Sequence, residues 1–492
     1  MTVKGGTPPD DIEALAKGGR TNIAGFFIRL IARVPFLFIA GQWYGATALG
    51  RMAYAILVVE FAAQLATLGL KRGLALHLSG DGKQGGVWDA MALVIAGALV
   101  PMIGLMLFPR IMFPNSDING LELFLPLVVP TLALTDLMLA ALAYRYDVGA
   151  TVRAKAIVEP WTISIAAFAL SWYSLQDGLL IAYALSMGAA LVAAALPFFR
   201  AHGRPTGWMP TPNGLYRLAR RNLPLAAADG IEWGSRRLDL AILGLFVSPA
   251  TVGVYYVAQQ VASLPQKLKT SFDPILGPVI TRKLEAGDTT AVARQISQVG
   301  FWIIAAQAGI ALSLGIPGEA LMGLFGPGGT FVGGNGALAF LLLAEVAAAV
   351  AVVSEAALVY IARHRNFLIS GAMIAVQAAL TFLFLSMARR ENFPELYQAA
   401  APAAALALSL GFASLIKSSL AARLLGARVS VWRWPLIWAS AAGVATGMIV
   451  IRLPEWAELG FGIPAILVVY GVVIWKWGFG EEDRALFRKA RA

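Results

Sequence analysis

Stretches of mostly apolar residues, each long enough to cross a bilayer as a helix of about 20 residues, recur from one end of the chain to the other. No soluble core needs that many. The charged share confirms the class: 14% of residues are charged, against about 25% in soluble domains. A transmembrane barrel would instead show weak alternation over about 10 residues. The sequence therefore specifies an all-α integral membrane protein.

Fourteen spans are predicted, at about 22–42, 52–74, 88–109, 119–143, 153–174, 177–199, 222–247, 251–272, 290–315, 335–361, 366–387, 397–422, 432–452 and 457–477. Loop charge tests this number. With the N-terminus inside, inner loops and tails hold 30 of the 39 Lys and Arg residues, and the outer loops hold Arg51, Arg110, Arg389, Arg390 and Arg452. That bias is the positive-inside rule, and one missed span would scramble every later loop. Both termini are expected in the cytoplasm, with the first span acting as an uncleaved signal-anchor.

The best boundary is the polar linker 200–221, with five arginines and Pro205, Pro210 and Pro212. It divides the chain into a tail (1–21), an N-lobe of six spans (22–199), a C-lobe of six spans (222–424), and two extra spans with a cytoplasmic tail (425–492). The lobes carry a weak repeat at an offset of 203: Gly50 falls on Gly253, Ala55 on Ala258, Arg33 on Arg236 and Arg29 on Glu232. Pseudo-symmetry of this kind is a transporter feature.

Several functions are excluded or disfavoured. There is no cysteine, so no disulfide or thiolate metal site exists. His77, His202 and His364 are far apart and read as loop residues, so no metal is expected. No GxxxxGK[ST] loop, HExxH or GxSxG motif is present, so no cofactor and no covalent catalysis are expected. The net charge of +11 reports inner loops rather than a nucleic-acid partner. The Gly/Pro-rich outer loop 315–334 reads as a flexible cap.

The informative residues are polar ones inside spans. Arg29 and Arg33 lie four apart on span 1, and Asn22 shares their face. An arginine in a membrane helix costs about 2.5–3.5 kcal/mol on insertion scales, so this face should look into a bundle or a wet cavity. Guanidinium matches phosphate oxygens bidentately, which makes the pair a candidate pyrophosphate site; the alternative is pairing with acids that lock the bundle. Span 7 carries Asp229, Glu232, Arg236, Arg237 and Asp239. Glu232 with Arg236, and Arg236 with Asp239, can neutralise one another, while Arg237 stands on another flank and is expected to be free to meet substrate. Glu60 and Gln64 (span 2), Asp136 (span 4), Gln259 and Gln260 (span 8) and Glu345 and Glu355 (span 10) are either interhelical glue or groups that bind sugar or a coupling ion. Pro35, Pro126, Pro130 and Pro265 permit kinks in spans 1, 4 and 8.

Asn22-Ile-Ala-Gly25 leading to Ala40-Gly41, then Gly45, Leu49-Gly50 and Tyr54-Ala55, resembles the first two helices of the Wzx-type oligosaccharide flippases of the multidrug/oligosaccharidyl-lipid/polysaccharide (MOP) exporter superfamily. Gly69-Leu70-Lys71-Arg72 is similar to their helix-2 end, and Phe325-Gly326-Pro327 to the segment before helix 10. The resemblance implies two six-helix lobes around a cavity. It also implies outward movement of undecaprenyl-diphosphate-linked oligosaccharide by alternating access, in a monomer of the bacterial inner membrane surrounded by its lipids. Polymerases or glycosyltransferases would be its working partners. It places Arg29, Arg33, Arg236 and Arg237 where such cavities meet the pyrophosphate. The two extra spans resemble the fourteen-helix relatives, which include peptidoglycan-precursor flippases. Rival readings are a cation-coupled drug antiporter of the same superfamily, which would depend on the acids, and a membrane polymerase or ligase, which would need a large outer loop.

Overall fold

The computed structural model describes residues 34–81, 85–118, 120–145, 147–270 and 280–484, and every regular element among them is helical. The principal helices are α1 (Gly45–Ala66), α2 (Leu70–Asp81), α3 (Gly86–Leu107), α4 (Val128–Tyr144), α5 (Glu159–Leu170), α6 (Gly178–His202) and α7 (Pro212–Phe246). They are followed by α8 (Pro249–Thr270), α9 (Thr289–Gly315), α10 (Asn335–Ile361), α11 (Arg363–Arg390), α12 (Ala400–Leu425), α13 (Pro435–Val450) and α14 (Ile463–Val473). Each predicted span from the second to the fourteenth has its helix. Among the described residues nine helical stretches are long and apolar enough to cross a membrane, and α13 is a shorter apolar helix. α7 carries the charge cluster and is not one of the nine.

The chain forms two compact units, 28–253 and 254–492. In the first, α1 is central and packs against α3, α4 and α7. Small residues allow this: Ala46, Ala48, Ala53, Ala55, Ala62, Ala63 and Ala66 are all buried, and without a hydrophobic drive in lipid, close approach of small residues holds helices together. A π-helical turn, Ala40–Tyr44, precedes α1, and Gly45 takes a φ of +79° between them. The Tyr44 hydroxyl donates to the Ala167 carbonyl at 2.6 Å. A left-handed pair, Leu68 (φ +49°) and Gly69 (φ +72°), turns the chain from α1 into α2. α7 starts on Pro212, whose missing N–H costs nothing at a first helical turn.

In the second unit α10 packs on α12, with α11 and α9 flanking. Ile280, Val292, Ile296, Ile303, Ala349, Val353, Ala357 and Leu425 form one core. The two extra C-terminal spans dock on α9 through Phe301, Ala305, Leu436, Ala439, Tyr470 and Ile474. The last described turn is tied down as well. Asp483, 2% exposed, accepts from Arg433 Nη1 at 2.6 Å, Trp302 Nε1 at 2.8 Å, the Gly480 amide at 2.9 Å and Gln298 Nε2 at 3.1 Å. Burial raises its pKa, but these four donors outweigh burial and hold the carboxyl below its ordinary range.

Two expectations are corrected. The segment 315–334 is a packed cap rather than a flexible one: it forms a short helix, Gly318–Gly323, and two 3-10 turns. Met322 and Phe331 are fully buried, and these apolar anchors override the Gly/Pro composition. The histidines are not in loops. His77 lies on α2, His202 ends α6 and stacks on Phe198 at 4.7 Å, and His364 is in the first turn of α11, because these helices run past the apolar stretches.

Candidate functional site

Asn22, Arg29 and Arg33 lie outside the described residues. The remaining candidates divide between the two units.

Within 28–253, α1, α2, α4, α5 and α7 bring ten ionisable residues together. Arg72 on α2 binds two acids of α7: its Nε meets Asp229 Oδ1 at 2.8 Å, and its Nη2 contacts Glu232. Glu232 also accepts from Arg236 at 2.9 Å, so the predicted i,i+4 pair forms. Asp229 is 2% exposed, while the Glu232 and Arg236 side chains are 45% and 60% exposed. One edge of the cluster is therefore interior and the other open. Charges that exposed, on a helix flanked by apolar spans, need water rather than lipid.

Arg237 takes the other flank of α7 but is not free there, because Glu60 of α1 meets it at 3.3 Å. Its guanidinium lies over the Trp233 ring, 5.7 Å from the centroid, and Trp233 stacks on Phe61 at 5.0 Å. Asp136 on α4 sits between Lys71 (3.1 Å) and Lys155 (3.5 Å), and Lys155 also reaches Glu159 at 3.3 Å. Glu60, Asp136, Asp229, Glu232 and Glu159 thus face Lys71, Arg72, Lys155, Arg236 and Arg237, five acids against five bases.

Lys71, Arg72, Lys155 and Glu159 were not among the sequence candidates, because their basic members counted as inner-loop charge. The i,i+4 spacing of Lys155 and Glu159 was the available signal. Lys155 belongs to a π-helical stretch, Val152–Val158, that leads directly into α5. Asp239 is buried at 1% exposure. Gln64 is half-buried, and its backbone carbonyl accepts from the Thr67 hydroxyl.

Within 254–492, Gln259 and Gln260 are half-buried on α8. Glu345 and Glu355 lie on α10, and Glu355 pairs with Lys417 of α12 at 2.8 Å. Lys417, read from the sequence as inner-loop charge, is 3% exposed and also donates to the Ser370 hydroxyl at 3.0 Å. Asn366 Nδ2 donates to the other Glu355 oxygen at 3.3 Å.

A smaller cluster joins Arg51 of α1 to Glu122, with Arg51 Nη2 donating to the Asp117 carbonyl at 2.9 Å. Asp177, which precedes α6, has its carboxyl pushed above the ordinary range by burial and by the Glu122 charge, with Arg51 opposing. Among the described residues no group of acids and histidines has the arrangement of a metal site.

No protein-family model matches the sequence, and no curated protein matches it either. Solved structures do. A lipid II flippase, MurJ, in its inward closed conformation aligns over 95% of this chain and 99% of its own, with a TM-score of 0.68 and 12% identity. An inward-facing multidrug-resistance MATE family transporter of the MOP superfamily aligns over 82% of this chain and 94% of its own, with a TM-score of 0.58 and 13% identity. The Vibrio cholerae MATE transporter VcmN in its bent form aligns over 85% of this chain and 98% of its own, with a TM-score of 0.51 and 13% identity. At these identities the likeness speaks for the fold, and the chain is a multi-pass helical membrane protein built on the fold shared by that lipid II flippase and the MATE transporters.

Proposed function

We propose that this protein is a transporter of the MOP type that moves a lipid-linked oligosaccharide, carried on undecaprenyl diphosphate, across the bacterial inner membrane by alternating access. The supporting observation is the exposed arginine edge of the ionic cluster. Arg236 and Arg237 project from α7, and each is held by a carboxylate that is itself partly exposed. A diphosphate carries about two charges, and leaving it unpaired in a low-dielectric cavity costs several kcal/mol per ion. Guanidinium forks supply that compensation bidentately. In this reading Arg29, Arg33, Arg236 and Arg237 receive the pyrophosphate. Glu60, Gln64, Asp136 and the acids of span 7 set their pairing. The chain works without covalent chemistry, as a monomer with both termini in the cytoplasm. The glycosyltransferases that build the cargo and the polymerase that consumes it would be its neighbours in the pathway. The six-plus-six repeat with two added spans is the framework.

The experiment is glycan export, with protein abundance measured in parallel, in a strain lacking the native gene. Arg29→Ala, Arg33→Ala and Arg237→Ala should each lower export, and lysine should rescue only in part, because it keeps charge but loses the fork. Full export by a well-expressed triple variant rejects the diphosphate site.

A second reading, a cation-coupled multidrug antiporter, is favoured by Asp136. Asp136 and Glu60 belong to the same cluster, with side chains 20% and 28% exposed, and an antiporter would work through such acids. Loss of export confined to Asp136 and Glu60 variants, with every arginine variant active, would select it.

A further inference from the structure

We infer that Glu60 is a resident counter-anion, a side chain that occupies Arg237 until the anionic group of the cargo displaces it, and so sets the threshold for what the site accepts. This rests on the diphosphate-site reading above. Three observations carry it. The Glu60–Arg237 pair joins two helices, α1 and α7, at 3.3 Å. Both side chains are more than a quarter exposed, at 28% and 29%, so the carboxylate has room to move. The guanidinium is positioned independently of Glu60: it lies over Trp233, which stacks on Phe61. An arginine held by a ring face keeps its place when its carboxylate leaves.

The contrast with Glu232 is instructive. That carboxylate is held by Arg72 and by Arg236 on its own helix, so displacing it would break two ion pairs, where displacing Glu60 parts it from Arg237.

Such an arrangement answers a chemical problem. A bilayer offers a large excess of phosphodiester headgroups with one negative charge. An arginine open to the membrane zone would be occupied by them. A carboxylate already in place raises the affinity that any anion must bring. A diphosphate brings two charges and a bidentate match, while a monoanionic headgroup brings one. The resident carboxylate thus selects against the weaker anion by competing with it.

The test measures binding of farnesyl diphosphate, a short polyprenyl diphosphate, to the purified full-length protein in detergent, and then in nanodiscs with rising phosphatidylglycerol. Wild type should bind the probe, and Arg237→Gln should bind it more weakly. Glu60→Gln should bind it about two- to fivefold more tightly, the worth of a partly exposed ion pair. Its binding should also be half-inhibited at a correspondingly lower phosphatidylglycerol fraction. Glu60→Asp, which shortens the acid by one methylene, should fall between, and provides a second reading if the glutamine variant is unstable. Glu60→Gln with Arg237→Gln should bind no better than Arg237→Gln alone. If Arg237→Gln binds like wild type, the diphosphate site itself fails and the inference with it. If Arg237→Gln binds weakly while folded Glu60→Gln binds no more tightly than wild type, the site stands and the counter-anion role is overturned.

Discussion

Gly50 and Gly253 touch through their backbones: a Cβ on Gly50 would sit 1.7 Å from the Pro249 carbonyl oxygen, and one on Gly253 would sit 2.0 Å from that of Ala46. The contact is reciprocal. Gly253 lies 203 residues after Gly50, and Pro249 lies 203 after Ala46. The offset that aligns the two glycines in the sequence also relates their contact partners.

Alanine at either glycine should therefore destabilise the protein, since overpacking of a fitted contact costs about 1–3 kcal/mol and here the obstacle is backbone. Gly104, with nothing within 4 Å of its hypothetical Cβ, is the control. Thermal unfolding in detergent should show Gly50→Ala and Gly253→Ala clearly lowered and Gly104→Ala unchanged or slightly raised. Wild-type melting of the first two would mean that these backbones do not meet.

The ion pair of Lys417 and Glu355 should respond asymmetrically. Lys417 is 4% exposed in its side chain and Glu355 42%. Removing the acid leaves a buried ammonium held by Ser370 alone among the contacts described above, and an uncompensated buried charge costs about 3 kcal/mol or more. Removing the lysine leaves a carboxylate that water can reach. Glu355→Gln should lower the melting temperature much more than Lys417→Met, and the double variant should recover most of the loss. Equal losses from the two single changes would contradict the burial difference.

The Asp483 anchor predicts a pH dependence. Its carboxyl lies below the ordinary value of about 3.9 because its four donors outweigh burial. A depressed carboxyl adds stability above its unfolded pKa and loses it as pH falls through the folded one. Asp483→Asn should cost about 1.5 kcal/mol near neutrality, the lower end for a charged hydrogen bond, since its partner Arg433 is 34% exposed. The gap between wild type and variant should close as pH falls below about 3.9. A gap that stays constant with pH would show that packing, not charge, holds the tail.

Much of this was legible in the sequence, and the remainder was hidden for a physical reason. Apolar length places α1, α3, α4, α6, α9–α12 and α14, because a bilayer fixes helix length. The Glu232–Arg236 pair follows from helical spacing alone. Arg72, Lys155 and Lys417 lie near the ends of the predicted spans 52–74, 153–174 and 397–422 and count there as inner-loop charge, because spacing alone does not show which acid a terminal base meets; Lys417 lies inside α12, and Lys155 in a π-helical turn continuous with α5. Glu60 with Arg237 joins residues 177 positions apart (237 minus 60), and no local pattern reports such a contact. The packed cap at 315–334 was hidden because Met322 and Phe331 find their partners only in the tertiary fold.

Arg72 gives the sharpest test of whether the cluster is built as a unit. Its guanidinium serves two acids of α7: Asp229, almost fully buried, and Glu232, open to water. Arg72→Ala leaves both without it, but the costs differ. Glu232 keeps Arg236 at 2.9 Å and a wetted side, so its share is within the 0–1 kcal/mol of an exposed pair. Asp229 loses a 2.8 Å partner in a site with 2% exposure, and a stranded buried charge costs about 3–5 kcal/mol. Arg72→Ala should therefore cut protein abundance and melting temperature severely. Adding Asp229→Asn should restore most of both, whereas adding Glu232→Gln should restore little. Rescue by Glu232→Gln instead, with Asp229→Asn inert, would place the costly charge at the open edge of the cluster and reverse the assignment of its interior side.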